Sequence, residues 1–324
     1  MNLLINKRDK IFIAGSQGMV GSSIKRGLIK SGYGQKSLGG ELFGPTRKEL
    51  DLCNFQEVEQ WFIKNKPNVV IIAAAKVGGI YANSSKPYDF ILNNLKIQTN
   101  IIELAWKYNV RRLLFLGSSC IYPKDSPQPI KEEYLLKDYL ETTNEFYAIA
   151  KIAGIKLCQS LRIQNKFDAI CLMPTNLYGP GDNYDHLNSH VIPGLIKKFI
   201  EAKKENLKYV KCWGTGKALR EFLYVDDLAE ACIFTLERWD PNYQNSNKNP
   251  CWLNIGSDYE ISINNLAYKI SNLVGFNGEI RWDADMPDGT MRKKLDTSKV
   301  NSLGWKAKTN LDLGLKLTID NLNK

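Results

Sequence analysis

Three residues carry the most chemistry in this chain. Tyr147 and Lys151, in Tyr147-Ala148-Ile149-Ala150-Lys151, stand at i and i+4, so they share one face of a helix. A free tyrosine titrates near pH ~10, too high to exchange protons at neutral pH. An ammonium beside it favours the phenolate and lowers that value. Upstream, Gly117-Ser118-Ser119-Cys120 offers the Ser118 hydroxyl, which can hold a substrate oxygen. A phenol, an ammonium and a hydroxyl on one oxygen reduce a ketone or oxidise an alcohol, provided a hydride donor lies alongside. The chain must therefore also build a nicotinamide site.

The elements for such a site are legible near the start. Ile11–Ala14 reads as a short buried strand, followed by Gly15-Ser16-Gln17-Gly18-Met19-Val20-Gly21 and a helix with apolar Ile24, Leu28 and Ile29 on one face. Strand, glycine turn and helix place a helix N-terminus against a pyrophosphate. The spacing is G-x-x-G-x-x-G, a variant of the dinucleotide fingerprint, and glycines between a strand and a helix are also common in ordinary turns. Further apolar strands at Val69–Ala75 and Leu113–Leu116, with helix-period segments between them, favour the nucleotide reading. That alternation predicts an α/β fold built on a doubly wound parallel sheet.

The second strand is expected at Glu41–Gly44. NAD sites place an acid at its end to bind the ribose hydroxyls. Here the chain continues Pro45-Thr46-Arg47, with no acid and a guanidinium suited to a 2′-phosphate. Arg47 as a mere solvated surface charge is the competing reading; the favoured cofactor is NADP(H).

Composition sets the outer bounds. The chain has 324 residues, 44% hydrophobic and 24% charged, an ordinary globular balance with room for two lobes. The longest apolar run, Val69–Ala75, is far short of a membrane span. Met1–Lys10 shows no apolar core followed by a small-residue cleavage site, so no secretory leader is expected. Seven cysteines without a C-x-x-C pair fit structural thiols in a reducing cytoplasm better than disulfides. Two histidines and scattered cysteines give no metal-ligand spacing. The net charge of +10 comes without a basic stripe or recognition module, so nucleic acid is not an expected partner. Lys197-Lys198 and Lys203-Lys204 on one helical stretch, and Arg292-Lys293-Lys294, could instead meet an anionic small molecule such as a sugar nucleotide.

Strand and helix alternate to about Asn176. A helix is expected at Ile192–Ala202, helix again over Glu221–Arg238, a buried strand at Cys251–Ile255 and a helix at Asn264–Leu273, with an exposed loop at Asp240–Pro250. This predicts a dinucleotide lobe from residues 1–176 and about 221–258, and a smaller interleaved substrate lobe from about 177–220 and 259–324.

Longer stretches carry a resemblance. They are Ala73-Ala74-Ala75-Lys76-Val77-Gly78-Gly79-Ile80; Leu114-Phe115-Leu116-Gly117-Ser118-Ser119-Cys120-Ile121-Tyr122-Pro123; Tyr147 through Lys156; Met173-Pro174-Thr175-Asn176-Leu177-Tyr178-Gly179-Pro180; Asn188-Ser189-His190-Val191-Ile192-Pro193; Arg220-Glu221-Phe222; and Pro287-Asp288-Gly289-Thr290. The chain resembles the extended short-chain dehydrogenase/reductases, which have a Rossmann-type sheet, and within them the GDP-L-fucose synthase subgroup. Members of that subgroup are NADPH-dependent 3,5-epimerase/4-reductases acting on a GDP-4-keto-6-deoxy sugar.

The resemblance implies roles. Ser118, Tyr147 and Lys151 would be the reductase triad, and Cys120 and His190 the epimerase pair. Gly15, Gln17, Gly18, Met19, Val20, Gly21, Arg47, Asp51, Leu52, Leu116, Gly117, Ser118, Ser119, Lys151, Pro174, Asn176, Leu177 and His190 would line NADP(H). Lys198, Trp213, Arg220, Asp288 and Lys293 would contact the GDP-sugar, although Trp213 also suits core packing and Asp288 a turn. His186 keeps a structural reading. A homodimer is implied, packing helices near Asn93–Tyr108 and Asn144–Arg162.

The implied chemistry is coherent. A C4 ketone acidifies the protons on C3 and C5, so one carbonyl serves both epimerisation and reduction. A thiolate and an imidazolium suit the two proton transfers, since both titrate near neutrality. Three departures from the family pattern stand out: Ser16-Gln17 where a basic residue is common, Met291 where a proline is usual, and Lys197-Lys198 in place of arginines. They leave open a 4-reductase without epimerase activity on a related sugar such as a heptose, in surface-polysaccharide synthesis.

Overall fold

The computed structural model describes residues 3–185, 189–241, 250–286 and 288–322. His186, Asn188, Pro287 and most of the 240–250 segment lie outside the described residues. Among the described residues there are twelve strands: β1 Lys10–Ala14, β2 Glu41–Phe43, β3 Val69–Ile72, β4 Arg112–Leu116, β5 Ala169–Pro174, β6 Asn176–Tyr178, β7 Tyr209–Trp213, β8 Leu219–Tyr224, β9 Trp252–Ile255, β10 Glu260–Ser262, β11 Glu279–Asp283 and β12 Arg292–Lys293. The helices are α1 Met19–Lys30, α2 Phe55–Asn65, α3 Ile80–Ser85, α4 Pro87–Lys107, α5 Glu145–Asn165, α6 Val191–Lys204, α7 Val225–Arg238, α8 Ile263–Val274, α9 Ser298–Ser302 and α10 Leu311–Leu322.

Six strands form one all-parallel sheet in the order β2-β1-β3-β4-β5-β9. β3, β4, β5 and β9 are buried at every position. This is why they read as continuous apolar runs rather than alternating ones: helices cover both faces. One face packs against α2, α4 and α5 through Phe62, Ile101 and Ile155. The other packs against α1 and α7 through Ile24, Leu28 and Leu228. Burying a side chain such as Ile24 or Leu28 contributes about 1.5–3 kcal/mol. Ile29 departs from the expected apolar face, being 58% exposed; of the three expected residues, Ile24 and Leu28 turn inward.

Strand order reverses between β1 and β3: the chain steps one way to β2 and the other way through β4, β5 and β9. Ligands of doubly wound sheets bind in the crevice at such a switch point, outside the carboxyl ends of the strands. Three segments of interest leave the sheet at that edge: Gly15 after β1, Gly117-Ser118 after β4, and Thr175 after β5.

A second group of elements stands beside the sheet. β8 is flanked by β10 and β12 and also pairs with β6, while β11 pairs with β7. Their core, with α6, α8 and α10, is a separate apolar cluster around Ile196, Phe199, Leu266 and Leu315. The helix expected over Glu221–Arg238 begins only at Val225; Glu221–Tyr224 is strand. A buried Glu221 there is satisfied by backbone rather than water. Its carboxylate accepts the N–H groups of Ser257 (2.8 Å), Asp258 (2.9 Å) and Leu295 (3.0 Å).

Candidate active site

The glycine turn fits a dinucleotide on its own geometry. Gly15 has φ +85°, and a Cβ there would fall 2.7 Å from the Ala74 backbone across the switch point; only glycine lets β1 turn so close to the chain leaving β3. Gly18 is the N-cap of α1 and places no side chain over it, so nothing at the cap covers the first unpaired N–H groups of the helix. After β2, a Cβ on Gly44 would sit 2.5 Å from the Ser16 hydroxyl, which donates to the Gly44 carbonyl at 2.9 Å. An acid at Gly44 has no room. Arg47 lies exposed three residues on, close enough to Cys53 to act on its charge, as Asp51 does. Gln17 turns its amide onto the Ser16 hydroxyl at 3.2 Å. Leu52 packs against the sheet.

Ser118 ends β4 and caps the short turn Ser119–Ile121, its hydroxyl accepting the Cys120 N–H at 3.2 Å. The same hydroxyl is near enough to the Tyr147 phenol to lower its pKa. One serine thus stands by both the tyrosine and the turn that holds the cysteine.

Tyr147 and Lys151 are one turn apart on α5, which lies close against the sheet through small buried residues, Ala148, Ala150 and Gly154. The Gln98 amide on α4 donates to the Ala150 carbonyl at 2.5 Å and holds the two helices together. The Lys151 ammonium is buried, 5.9 Å from the centre of the Tyr147 ring, and donates to the Leu116 carbonyl at 2.8 Å. Burial pulls its pKa down to about 8.

The expected lowering of the tyrosine pKa is not what the structure shows. Desolvation first, then the neighbouring Cys120, push the phenol above its ordinary value; the Ser118 hydroxyl opposes them. Half-buried Tyr147 is therefore a firmly protonated donor, poised to give a proton.

Cys120 is the point where the two lobes meet. Its sulfur accepts from the Asn144 amide at 3.5 Å, and the Lys293 ammonium of β12 lies 4.0 Å away. Arg220 of β8 is near enough to feel its charge; burial pulls the guanidinium below its ordinary value, while Cys120, Asp288 and Glu141 hold it up.

The segment 288–293 that carries Lys293 is tied down repeatedly. Asp288 accepts from the Thr215 N–H and hydroxyl, both at 2.7 Å, so its carboxylate fixes the turn after Trp213. Thr290 donates to Glu141 at 3.2 Å, and Arg292 forms a bidentate pair with Glu260 at 2.9 and 2.6 Å. These bonds do the holding where the family pattern has a proline; Met291 itself is exposed.

Other expected residues are more scattered. His190 is the N-cap residue of α6, solvent-facing yet crowded enough that desolvation lowers its pKa. It is thus a neutral imidazole at neutral pH rather than the expected imidazolium. Trp213 is 49% exposed on β7, not core, and the Lys198 ammonium donates to the Lys211 carbonyl at 2.8 Å. Asn176 donates to the Glu221 carbonyl at 2.9 Å, and Leu177 packs beneath the sheet edge. Pro174 closes β5. The seven cysteines are all free. Among the described residues, no group of three His, Cys, Asp or Glu could hold a metal, and no helix is long and apolar enough to cross a membrane.

Sequence reasoning missed Asn144, Glu141 and Thr290. An Asn just before a helix reads as an ordinary cap, and a Glu and a Thr far apart in sequence carry no mark of their pairing.

Comparison with known proteins agrees with this geometry. Residues 11–250 match the model of the NAD-dependent epimerase/dehydratase family. GDP-L-fucose synthase 1 of Arabidopsis thaliana is 52% identical, over 97% of this chain and 93% of that protein. GDP-L-fucose synthase of Escherichia coli strain K12 is 46% identical, over 96% and 95%. Among solved structures, a GDP-mannoheptose C4 reductase from Campylobacter jejuni, with NADP bound, superimposes with a TM-score of 0.87 at 36% identity, over 99% of this chain and 100% of that one. The chain belongs to the NAD-dependent epimerase/dehydratase family, in the group of extended short-chain dehydrogenase/reductases that contains the GDP-L-fucose synthases.

Proposed function

We propose that this chain is an NADP(H)-dependent enzyme that epimerises a GDP-4-keto-6-deoxy hexose at C3 and C5 and reduces its C4 ketone. The observation that carries the reading is the Ser118 hydroxyl, which accepts the Cys120 N–H and lies close enough to the Tyr147 phenol to lower its pKa. A proton donor for a carbonyl oxygen and a thiol for its neighbouring carbons thereby share one pocket. The relatives at higher identity are named for fucose, and the heptose reductase is more distant, so the heptose alternative is not carried forward.

A C4 carbonyl oxygen seated on Ser118 and Tyr147 acidifies the C3 and C5 protons. Cys120 and His190 exchange those protons; neutral His190 takes one before it gives one. Ser118 and Tyr147 hold the enolate oxygen through each inversion. NADPH, when bound, would supply the hydride for C4. Tyr147 then gives its phenolic proton to the C4 oxygen, and the Lys151 ammonium stabilises the developing phenolate. Lys151 spends one of its three donors on Leu116 and has others for the cofactor ribose. Gly15, Gly18, Met19, Val20 and Gly21 would cradle the pyrophosphate, with Arg47 and Gln17 on the 2′-phosphate side and Asp51, Leu52, Leu116–Ser119, Pro174, Asn176, Leu177 and His190 lining the rest. Residues 177–220 and 259–324 would seat the GDP-sugar, with Lys198, Arg220 and Lys293 for its phosphates and sugar, Trp213 for its base, and Asp288 holding their turn. α4 and α5 expose Trp106, Ile149 and Ile163, an apolar face that a second copy of the chain would cover. Seven free thiols suit a reducing cytoplasm.

The test is incubation with GDP-4-keto-6-deoxy-mannose in D₂O. Without NADPH, deuterium is expected at C3 and C5; with NADPH, the product is GDP-L-fucose. Turnover of a 4-keto-heptose without label at either carbon would replace this reading. A pH profile checks the Lys151 role. Its pKa of about 8 keeps it an ammonium at neutral pH. Reduction should therefore hold steady below about pH 7 and fall by about one order of magnitude per pH unit above about 8. Tyr147, pushed upward, does not titrate in that range. In Lys151→Arg, at whatever rate it retains, the fall should vanish; a fall that persists would assign it to another group.

A further inference from the structure

An Asn at a helix N-cap ordinarily turns its side-chain oxygen onto an N–H of the first turn. Asn144, at the N-cap of α5, makes no such bond. Its amide nitrogen donates instead to the Cys120 sulfur at 3.5 Å, and its Oδ1 is buried with no hydrogen-bond partner. Helix stability alone would favour the cap, and a buried carbonyl oxygen without a donor is unfavourable. Both departures point into the pocket that holds Cys120, Ser118 and Tyr147. The groups facing the sulfur are Asn144 and Tyr147 from α5, Lys293 from β12 and Arg220 from β8. Of the two groups that donate to the sulfur, Asn144 is neutral and Lys293 charged, so Asn144 is suited to aim the sulfur rather than to set its charge.

We infer that Asn144 is a positioning residue for the proton-transfer half of the reaction: its N–H holds the Cys120 sulfur against the sugar ring, and its Oδ1 accepts a hydrogen bond from a sugar hydroxyl. The inference rests on the epimerase-reductase reading above. Of the two carbons that exchange, C3 carries a hydroxyl and C5 does not, so an acceptor beside Cys120 recognises the substrate from the C3 side. This makes Asn144 selective for one of the two partial reactions, although it lies three residues before the tyrosine that serves the other.

Two variants separate the roles. Asn144→Asp keeps shape and an acceptor oxygen but loses the N–H; Asn144→Ala loses both. In each, deuterium exchange into GDP-4-keto-6-deoxy-mannose without NADPH is expected to fall about 10- to 100-fold, as for loss of a hydrogen bond to a charged group, and more at C3 than at C5. Reduction of the ketone supplied already epimerised should stay within about twofold, because Tyr147, Ser118 and Lys151 are untouched. KM for the keto sugar should rise in Asn144→Ala and change little in Asn144→Asp. NADPH binding and the melting temperature report whether each variant is folded, and the near-isosteric Asp keeps the test open if Ala is not. Exchange that survives in Asn144→Asp overturns this inference alone, as does an equal loss of exchange and reduction. Absence of exchange in the unaltered enzyme overturns the epimerase reading and this inference together.

Discussion

Tyr147→Phe should lower reduction of the C4 ketone by about 10²- to 10⁴-fold, the contribution of a positioned general acid, while leaving NADPH affinity within about twofold. Phe keeps the ring, including its edge contact to Phe90 at 6.5 Å between centroids, and removes only the hydroxyl beside Ser118. Burial keeps that hydroxyl protonated, and water cannot replace a donor fixed between a serine and the substrate. Single-turnover loss of nicotinamide absorbance on mixing NADPH-loaded enzyme with the keto sugar measures the step directly. C3 and C5 exchange should slow but persist, since Ser118 still holds the enolate oxygen. Unchanged turnover would remove Tyr147 from the mechanism.

Cys120→Ser should do the converse. The serine keeps the backbone bond to Ser118 and nearly the same volume, but an alkoxide is far harder to form at neutral pH than a thiolate. Exchange at C3 and C5 is expected to drop by about 10²- to 10⁴-fold, whereas reduction of an already epimerised ketone should stay within about tenfold. Proton NMR in D₂O reads the first quantity and NADPH oxidation the second. Equal loss of both would make Cys120 a packing residue that merely shapes the Ser118 turn.

The two predictions draw on different parts of the sequence. The triad was legible because helix geometry ties Tyr147 to Lys151, and because Ser118 follows a run whose apolar character marks a strand buried on both faces. The glycine turn was legible for the same local reason. What failed was whatever depends on burial or on distant partners. The ammonium beside the phenol suggested a lowered pKa, but desolvation of Tyr147 outweighs it, and desolvation cannot be read from spacing. His190 moved the same way. Glu221 was read into the helix that follows it; three backbone donors from elsewhere make it a buried strand residue. Asn144 hid behind an ordinary capping signature.

The Lys293–Cys120 contact joins residues 173 positions apart, and this gives the active site a history during synthesis. Chains emerge and fold N-terminal part first. The residues proposed for hydride transfer, Ser118, Tyr147 and Lys151, can settle once β9, ending at Ile255, completes the sheet. Until β12 arrives at Arg292–Lys293, Cys120 lacks the ammonium of Lys293. A half-made chain therefore presents the Cys120 thiol without its partner ammonium. On the proposed roles, the proton-transfer side of the site is the last to be completed as the chain emerges.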